Sequence, residues 1–341
     1  MPPIQDVLKS LLSGRTLAPV EAEAVFEDLL AGTLDEAQIG AMLSLIQSRG
    51  VTAEELLGAA RVMRRHSTKV QADGVPGLID TCGTGGAAKT FNISTAVAIT
   101  AAAAAPGRVH VAKHGGRSRT GRGSADVLQT LGVRVDAPPE LQSRCLREVG
   151  VCFCFAVHHH PAMKHAAGPR KSLGFPTIFN LLGPLTNPAG ARRQLMGVYD
   201  ARLVPLIART LADLGAERAM VVHGSDGIDE LTLSGPSVIG SVEGERITIA
   251  EFDPASLGMP RASLAELAVP SAAESAALIR RVFEGECGPP RDIVLLNAAA
   301  ALTVAGAAAD IRRGLPLAAT AIDSGAAART LDALAKLSNE A

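Results

Sequence analysis

The sequence predicts an α/β protein in which a small all-helical N-terminal domain, residues 1–72, precedes a larger α/β domain, residues 73–341, with a central sheet flanked by helices. Two changes of texture carry this prediction. From Ile4 to about Val70 apolar residues recur every three or four positions, the period of helices with one buried face. After Gly77 short apolar strands alternate with glycine-rich turns and alanine-rich helices, an order that places chemistry in the turns at the carboxyl ends of the strands. The length of 341 residues supports two domains, since it exceeds the usual size of one.

In chain order, PVEAEAVFEDLLAG and TAEELLGAARVMRRH are amphipathic helices separated by stop signals. Gly32 precedes TLDEAQ, where Thr33 is the expected cap, and Gly50 precedes VTAEE, where Thr52 caps with Glu55 three residues on. Strand, turn and helix then repeat as LIDTCGTGG with STAVAITAAAAA, as RVHVAKHGG with SADVLQTLG, and later at RAMVVHGSDG. Between them the stretch from Pro161 to Pro188 is rich in Pro and Gly but carries PTIFNLL, so about 165–190 is either a hinge or a return to the helical domain. The tail from about Arg280 is apolar at helical spacing and reads as packing.

Composition narrows the function. Lys plus Arg total 33 against 34 Asp plus Glu, a formal charge of −1 that argues against nucleic acid or an anionic membrane as partner and favours a small molecule. The five cysteines include no CxxC pair, which suits reduced thiols, and MPPIQDVLKS lacks the charged and apolar regions of a signal peptide. The apolar run from Ala96 to Pro106 falls short of the roughly 20 residues of a membrane span. A cytoplasmic location is expected.

Four segments carry candidate chemistry. In DTCGTGGAAKTFNIST, Gly83, Gly85 and Gly86 lie between a strand and a helix, where glycine lets backbone approach an anion and a helix N-terminus offers N–H groups; a plain tight turn is the alternative. Asn92, Ser94 and Thr95 either cap that helix or bind phosphate or metal. The turn KHGGRSRTGRGSAD concentrates Lys113, His114, Arg117, Arg119 and Arg122 among glycines and hydroxyls, an anion site or else a solvated basic loop. In HGSDGIDEL, Asp229 and Glu230 suit Mg²⁺, with Asp226 nearby; opposite two phosphate loops they gain over a solvated acidic turn. Finally HHHPAMKHAAGPRKSLG gathers His158, His159, His160, His165 and Arg170; adjacent histidines point in different directions, which disfavours a transition metal, while the fork of Arg170 suits a carboxylate.

In this order, GTGG with TFNIST, VAKHG with GSADVL, HHPAMKH with GPR and SLG, TIFNLLGPLTNPAG, and VVHGSDGIDEL resemble the anthranilate phosphoribosyltransferase family over nearly the whole chain. The resemblance implies the nucleoside phosphorylase/phosphoribosyltransferase class of fold with the site in the cleft between its domains. It further implies a homodimer joined through the helical domain, Mg²⁺ as cofactor, and phosphoribosyl pyrophosphate (PRPP) and anthranilate as substrates in tryptophan biosynthesis. Carried onto this sequence, Gly83, Thr84, Gly85, Gly86, Thr90, Asn92, Ser94, Thr95, Lys113 and Ser118 would bind PRPP. Ser94, Asp229 and Glu230 would serve the metal, and His114, Gly116, His160 and Arg170 would face anthranilate.

Departures fall in the two phosphate loops. Only Ala87, Ala88 and Lys89 follow GTGG, one residue fewer than the family pattern and without its Asp; Gly116 replaces an Asn, and Pro176 stands where an Arg is usual. With Lys89, Arg119 and Arg122 in place, a more positive donor pocket and a more permissive acceptor pocket are expected. A related phosphoribosyltransferase or nucleoside phosphorylase with another aromatic acceptor, or a binding protein without catalysis on the same fold, remains open at this point.

Overall fold

The computed structural model describes residues 3–86, 90–118 and 121–340. The chain opens with helices α1 (Ile4–Leu12), α2 (Pro19–Ala31), α3 (Glu36–Arg49) and α4 (Ala53–Arg65). Thr52 caps α4 as its spacing predicts, accepting from the Glu55 amide while the Glu55 side chain returns to the Thr52 backbone, a device that stabilises a helix by about 1 kcal/mol. Thr33, by contrast, does not cap α3. That role falls to Asp35 in a capping box with Gln38, because the Thr33 hydroxyl is drawn back to the Asp28 carbonyl at the end of α2. Glu55 also binds the Leu17 amide and pairs with Arg49, so one buried carboxylate ties the α1–α2 link to α3 and α4.

Seven strands among the described residues form one mixed sheet: β1 (Leu78–Gly83), β2 (His110–Gly115), β3 (Val151–Phe155), β4 (Arg193–Gly197), β5 (Arg218–Gly224), β6 (Ser237–Glu243) and β7 (Arg246–Phe252). Their order is β3-β2-β1-β4-β5-β6-β7; the first five run parallel, and β6 and β7 add an antiparallel hairpin at one edge. That hairpin turns tightly with Gly244 at φ 59°, a left-handed conformation that glycine adopts without steric cost.

Helices α5 (Ile93–Ala104), α6 (Ser124–Thr130) and α7 (Pro139–Glu148) belong to the crossovers of β1 to β3. Then come α8 (Ala156–His159), α9 (Lys164–Leu173), α10 (Phe179–Leu182), α11 (Leu203–Asp213) and a terminal set, α12 (Ala272–Phe283), α13 (Pro289–Ala305), α14 (Ile311–Asp323) and α15 (Ala326–Ser338). One core packs α5 and the terminal helices against the sheet, and α5 is apolar all round because it is buried all round. The other core joins α1–α4 to Ala166, Ile178, Phe179 and Leu185, then to Ile207 and Leu211 of α11. The Pro- and Gly-rich middle segment thus buries its apolar residues with the N-terminal helices. As the apolar spacing before Val70 and the strand, glycine-turn and helix order after Gly77 predict, a helical bundle precedes an α/β unit.

Because β1 lies between β2 and β4, the chain leaves its carboxyl end toward one side of the sheet and returns on the other. Loops diverge at such a switch point and leave a crevice for a ligand. The turns after β1, β2 and β5 meet there.

Candidate active site

Two glycines bring the β5–β6 turn onto the end of β1. A Cβ on Gly197 would stand 1.6 Å from the Asp229 carbonyl, so that position admits no side chain, and one on Gly83 would stand 2.4 Å from Asp229 Oδ2 and displace that carboxylate. With that approach made, the Gly85 amide donates to Asp229 Oδ2 at 3.2 Å. Thr84 joins β4 through its amide to the Gly197 carbonyl at 2.9 Å, and its hydroxyl accepts from the Tyr199 amide at 3.1 Å. Gly85 and Gly86 hold φ of 64° and 87°, which only glycine tolerates cheaply.

Under this loop lies a cluster of charge built around buried Lys113 and Asp80. Lys113 Nζ, from β2, donates to the Thr81 carbonyl at 2.7 Å and to Ser94 Oγ at 3.0 Å. Burial pushes its ammonium below the ordinary lysine value, and the carboxyls of Asp80, Glu230 and Asp229 oppose that shift. Burial, followed by repulsion from Asp229, pushes the Glu230 carboxyl up to about 8, while Lys113 and the Ser94 amide act against it. Burial likewise raises the Asp229 carboxyl. Two adjacent, partly buried acids near a single buried lysine repel one another, and a cation between them would relieve that repulsion. The third acid of the turn serves structure: Asp226 Oδ2 accepts from Thr232 Oγ1 at 2.6 Å and Ser234 Oγ at 2.7 Å.

Asn92 stands at the N-cap position of α5, yet its side chain makes no capping bond. Its Oδ1 accepts from Ser275 Oγ at 2.9 Å and its Nδ2 donates to the Arg122 carbonyl at 3.3 Å. Backbone amides at the α5 terminus are also engaged, that of Asn92 with Ser275 Oγ, that of Ile93 with the Phe91 carbonyl and that of Thr95 with the Asn92 carbonyl. This corrects the expectation that the α5 terminus supplies only unpaired N–H groups; for these three amides the Ser275 hydroxyl and nearby backbone carbonyls have taken them. Thr95 Oγ1 is buried without a hydrogen-bond partner, whereas Thr90 Oγ1 donates to the Phe91 carbonyl at 2.9 Å.

In the second turn Ser118 Oγ accepts from the Arg122 amide at 2.9 Å. Arg122 Nη1 donates to the Val269 carbonyl at 2.7 Å, and Arg117 pairs with Asp126 at 2.8 Å and lies over the Phe155 ring. These two arginines therefore brace the protein, contrary to their reading as anion ligands. Lys89 and Arg119 lie outside the described residues.

On the far side of Lys113, the rings of His114 and His160 meet edge to face with centroids 5.2 Å apart. Burial lowers both, His114 to about 3 and His160 to about 4, so both are neutral near pH 7. His114 Nε2 is buried without a partner, while His160 Nε2 lies 3.3 Å from Thr186 Oγ1. His159 turns away to the Thr68 carbonyl and Gln142 Oε1. Arg170, on α9, lays its guanidinium over the Phe179 ring at 5.2 Å.

Comparison with known proteins decides the family. The descriptions "Glycosyl transferase family, helical bundle domain" and "Glycosyl transferase family, a/b domain" match residues 5–67 and 75–328. Anthranilate phosphoribosyltransferase of Moorella thermoacetica is 49% identical over 329 residues, which cover 96% of each chain. The chain belongs to the anthranilate phosphoribosyltransferase family. The crystal structure of the Thermus thermophilus member superposes with a TM-score of 0.91 at 38% identity, covering 98% of this chain and 100% of that one. The Saccharomyces cerevisiae member, solved in complex with PRPP and Mg, gives 0.86 at 25% identity, covering 98% of this chain and 97% of that one.

For an anthranilate phosphoribosyltransferase the acidic pair meets the demands of a hard cation. Asp229, Glu230 and the Ser94 hydroxyl offer oxygen donors, and desolvation together with repulsion from Asp229 raises the Glu230 carboxyl, which a bound cation would oppose. Among the described residues no group of three or more His, Cys, Asp or Glu side chains is arranged to hold a metal by itself. Mg²⁺ suits such a place, since it usually keeps waters and takes substrate phosphate oxygens rather than an all-protein cage. Sequence reasoning missed Asp80, which is fully buried and accepts from the His114 amide at 3.0 Å and from Asn187 Nδ2 at 2.8 Å, locking the ends of β1 and β2 to the segment before β4. Its place at the head of DTCGTGG was the available signal.

Proposed function

We propose that this chain transfers the phosphoribosyl group of PRPP to the amine of anthranilate, releasing pyrophosphate and N-(5-phosphoribosyl)anthranilate for tryptophan biosynthesis. The observation that carries the proposal is the cluster of buried Lys113 with partly buried Ser94, Asp229 and Glu230 beneath the glycine loop. In this reading Gly83, Thr84, Gly85, Gly86, Thr90, Asn92, Ser94, Thr95, Lys113 and Ser118 form the donor side. Ser94, Asp229 and Glu230 hold Mg²⁺, which when bound offsets charge on the pyrophosphate.

As the bond from the ribose C1 to pyrophosphate breaks, positive charge grows on the sugar and negative charge on the leaving group. Lys113, held in place by two hydrogen bonds, stabilises the latter without reorganising. Neutral His114 and His160 put no imidazolium beside the cationic sugar. The amine is already a nucleophile, so placing it near C1 contributes more than a strong base. His114, Gly116, His160 and Arg170 form that acceptor side, with Arg170 meeting the carboxylate.

A different aromatic acceptor is the second reading, and Gly116 favours it: a Cβ there would meet only Ala156 Cβ, at 4.0 Å, so the position leaves open space. We also propose a homodimer, for which exposed Leu12 and Val20 on the N-terminal helices, at 74% and 75%, offer apolar surface. A cytoplasmic setting agrees with the free state of all five cysteines. No helix among the described residues is long and apolar enough to cross a membrane.

Loss of anthranilate fluorescence on incubation with PRPP and Mg²⁺ tests the activity, and no loss with anthranilate but turnover of another aromatic amine supports the second reading. Arg170→Ala is expected to raise the KM for anthranilate roughly tenfold or more while leaving that for PRPP within about twofold, the cost of one charge-assisted carboxylate contact. Equal changes in both constants would make Arg170 a brace for Phe179 instead.

A further inference from the structure

We infer that Ser275 is a positioning residue of the donor site, acting through Asn92 to set the two loops that face the phosphates; the inference rests on the donor side proposed above. Ser275 lies in the first turn of α12, 183 positions after Asn92, and is 1% exposed. Its one hydroxyl makes two bonds to a single residue, accepting from the Asn92 amide at 2.9 Å and donating to Asn92 Oδ1 at 2.9 Å. With Oδ1 held, Nδ2 has one direction left, toward the Arg122 carbonyl in the second loop. Asn92 therefore links both loops, and Ser275 fixes its rotamer.

Two parallel ties strengthen the arrangement. The Phe91 amide donates to the Leu267 carbonyl at 2.9 Å, and Arg122 Nη1 donates to the Val269 carbonyl. Segment 264–275 thus grips residues 91 and 92 of the first loop and residue 122 of the second, while the Arg122 amide in turn holds Ser118 Oγ.

Packing alone does not account for the hydroxyl. Ser275 sits beside buried Ala276, Leu278 and Ile279 on the inner face of α12, where alanine would fill similar space. A buried hydroxyl is costly unless bonded, and both bonds here go to Asn92. Nor does α5 use the Asn92 side chain as a cap. The pair is spent on orienting a side chain at the mouth of the donor loop. Without it Asn92 must be ordered by the donor itself, and that cost appears as weaker binding.

The test combines steady-state kinetics on the full chain with calorimetric titration of PRPP in the presence of Mg²⁺, with the melting temperature of each variant recorded. Ser275→Ala is expected to raise the KM and Kd for PRPP roughly tenfold, with kcat and the KM for anthranilate within about twofold. Asn92→Ala should weaken PRPP at least as much, and the double variant Asn92→Ala with Ser275→Ala should be no worse than Asn92→Ala alone, since the two side chains act as one unit. Independent, multiplying effects in the double variant, a parallel rise for both substrates, or unchanged PRPP binding in Ser275→Ala would overturn the inference. No turnover by the natural chain would overturn the proposed reaction, and the PRPP titrations would still decide the Ser275 assignment by the same factors.

Discussion

Replacing Asp229 with Asn and Glu230 with Gln together is expected to lower kcat/KM by roughly a thousandfold or more and to remove its dependence on Mg²⁺, because neutral amides are poor ligands for a hard cation and the leaving pyrophosphate loses its offsetting charge. The fold should survive, since the substitutions relieve the crowding of two adjacent, partly buried carboxyls. A pH signature accompanies the loss. Glu230 rises from its ordinary value of 4.5 to about 8 in the metal-free protein, so its contribution to stability is present below about 4.5 and is lost as pH rises through about 8. Metal-free natural protein should accordingly melt at a lower temperature at pH 9 than at pH 6, and the double variant should lack this component of the slope. Melting curves across pH with and without Mg²⁺, beside kinetics at each Mg²⁺ concentration, check both halves. Retained Mg²⁺-dependent turnover in the variant would place the metal elsewhere.

Which parts of this site could be read from the sequence depended on how local their physics is. The glycine loop and the Asp229, Glu230 pair were legible because a few consecutive residues combine backbone freedom with hard oxygen donors. Arg117 and Arg122 were misread because charge density along a sequence is the same whether an arginine meets an anion or a carbonyl of its own chain; here Asp126 and Val269 claim them. Asn92 before a helix reads as a cap, and only the fold brings Ser275 close enough to take its side chain. The same holds for Asp80 and Asn187, whose bond spans 107 positions.

In the fold, periodicity located the helices and the strand-turn-helix order located the parallel strands. The hairpin of β6 and β7 went unread although its sequence signal was present: SVIGSVE and RITIAEF flank a turn at Gly244, but they follow no glycine turn and helix of the kind that marks the parallel strands. At α3 the cap lies two residues beyond Thr33, the residue to which the sequence pointed. Asp35 prevailed because Gln38 completes its capping box, whereas Thr33 had a nearer acceptor in the preceding helix.

Lys113→Met should separate catalysis from folding at the centre of the cluster. The substitution keeps an apolar stem of similar length but leaves the Thr81 carbonyl and Ser94 Oγ without their donor. Such a loss costs about 1–3 kcal/mol, against the roughly 5–15 kcal/mol by which folded domains are stable, so the protein is expected to fold with a lowered melting temperature. Asp80 remains bonded to the His114 amide and Asn187, which limits the damage from its lost counter-charge. The chemical step fares worse. A fixed positive group aimed at a growing negative charge in a site that excludes water is worth about 10²–10³ in rate, and solvent cannot replace it there. We therefore expect kcat to fall by roughly 10²-fold or more, with PRPP binding weakened and the KM for anthranilate little changed. Rapid-quench measurement of a single turnover, made on variant protein that binds PRPP by calorimetry, reads the chemical step directly. A near-natural rate there would show that Lys113 only supports the strand ends, and that the glycine loop and the acidic pair carry the leaving-group charge without it.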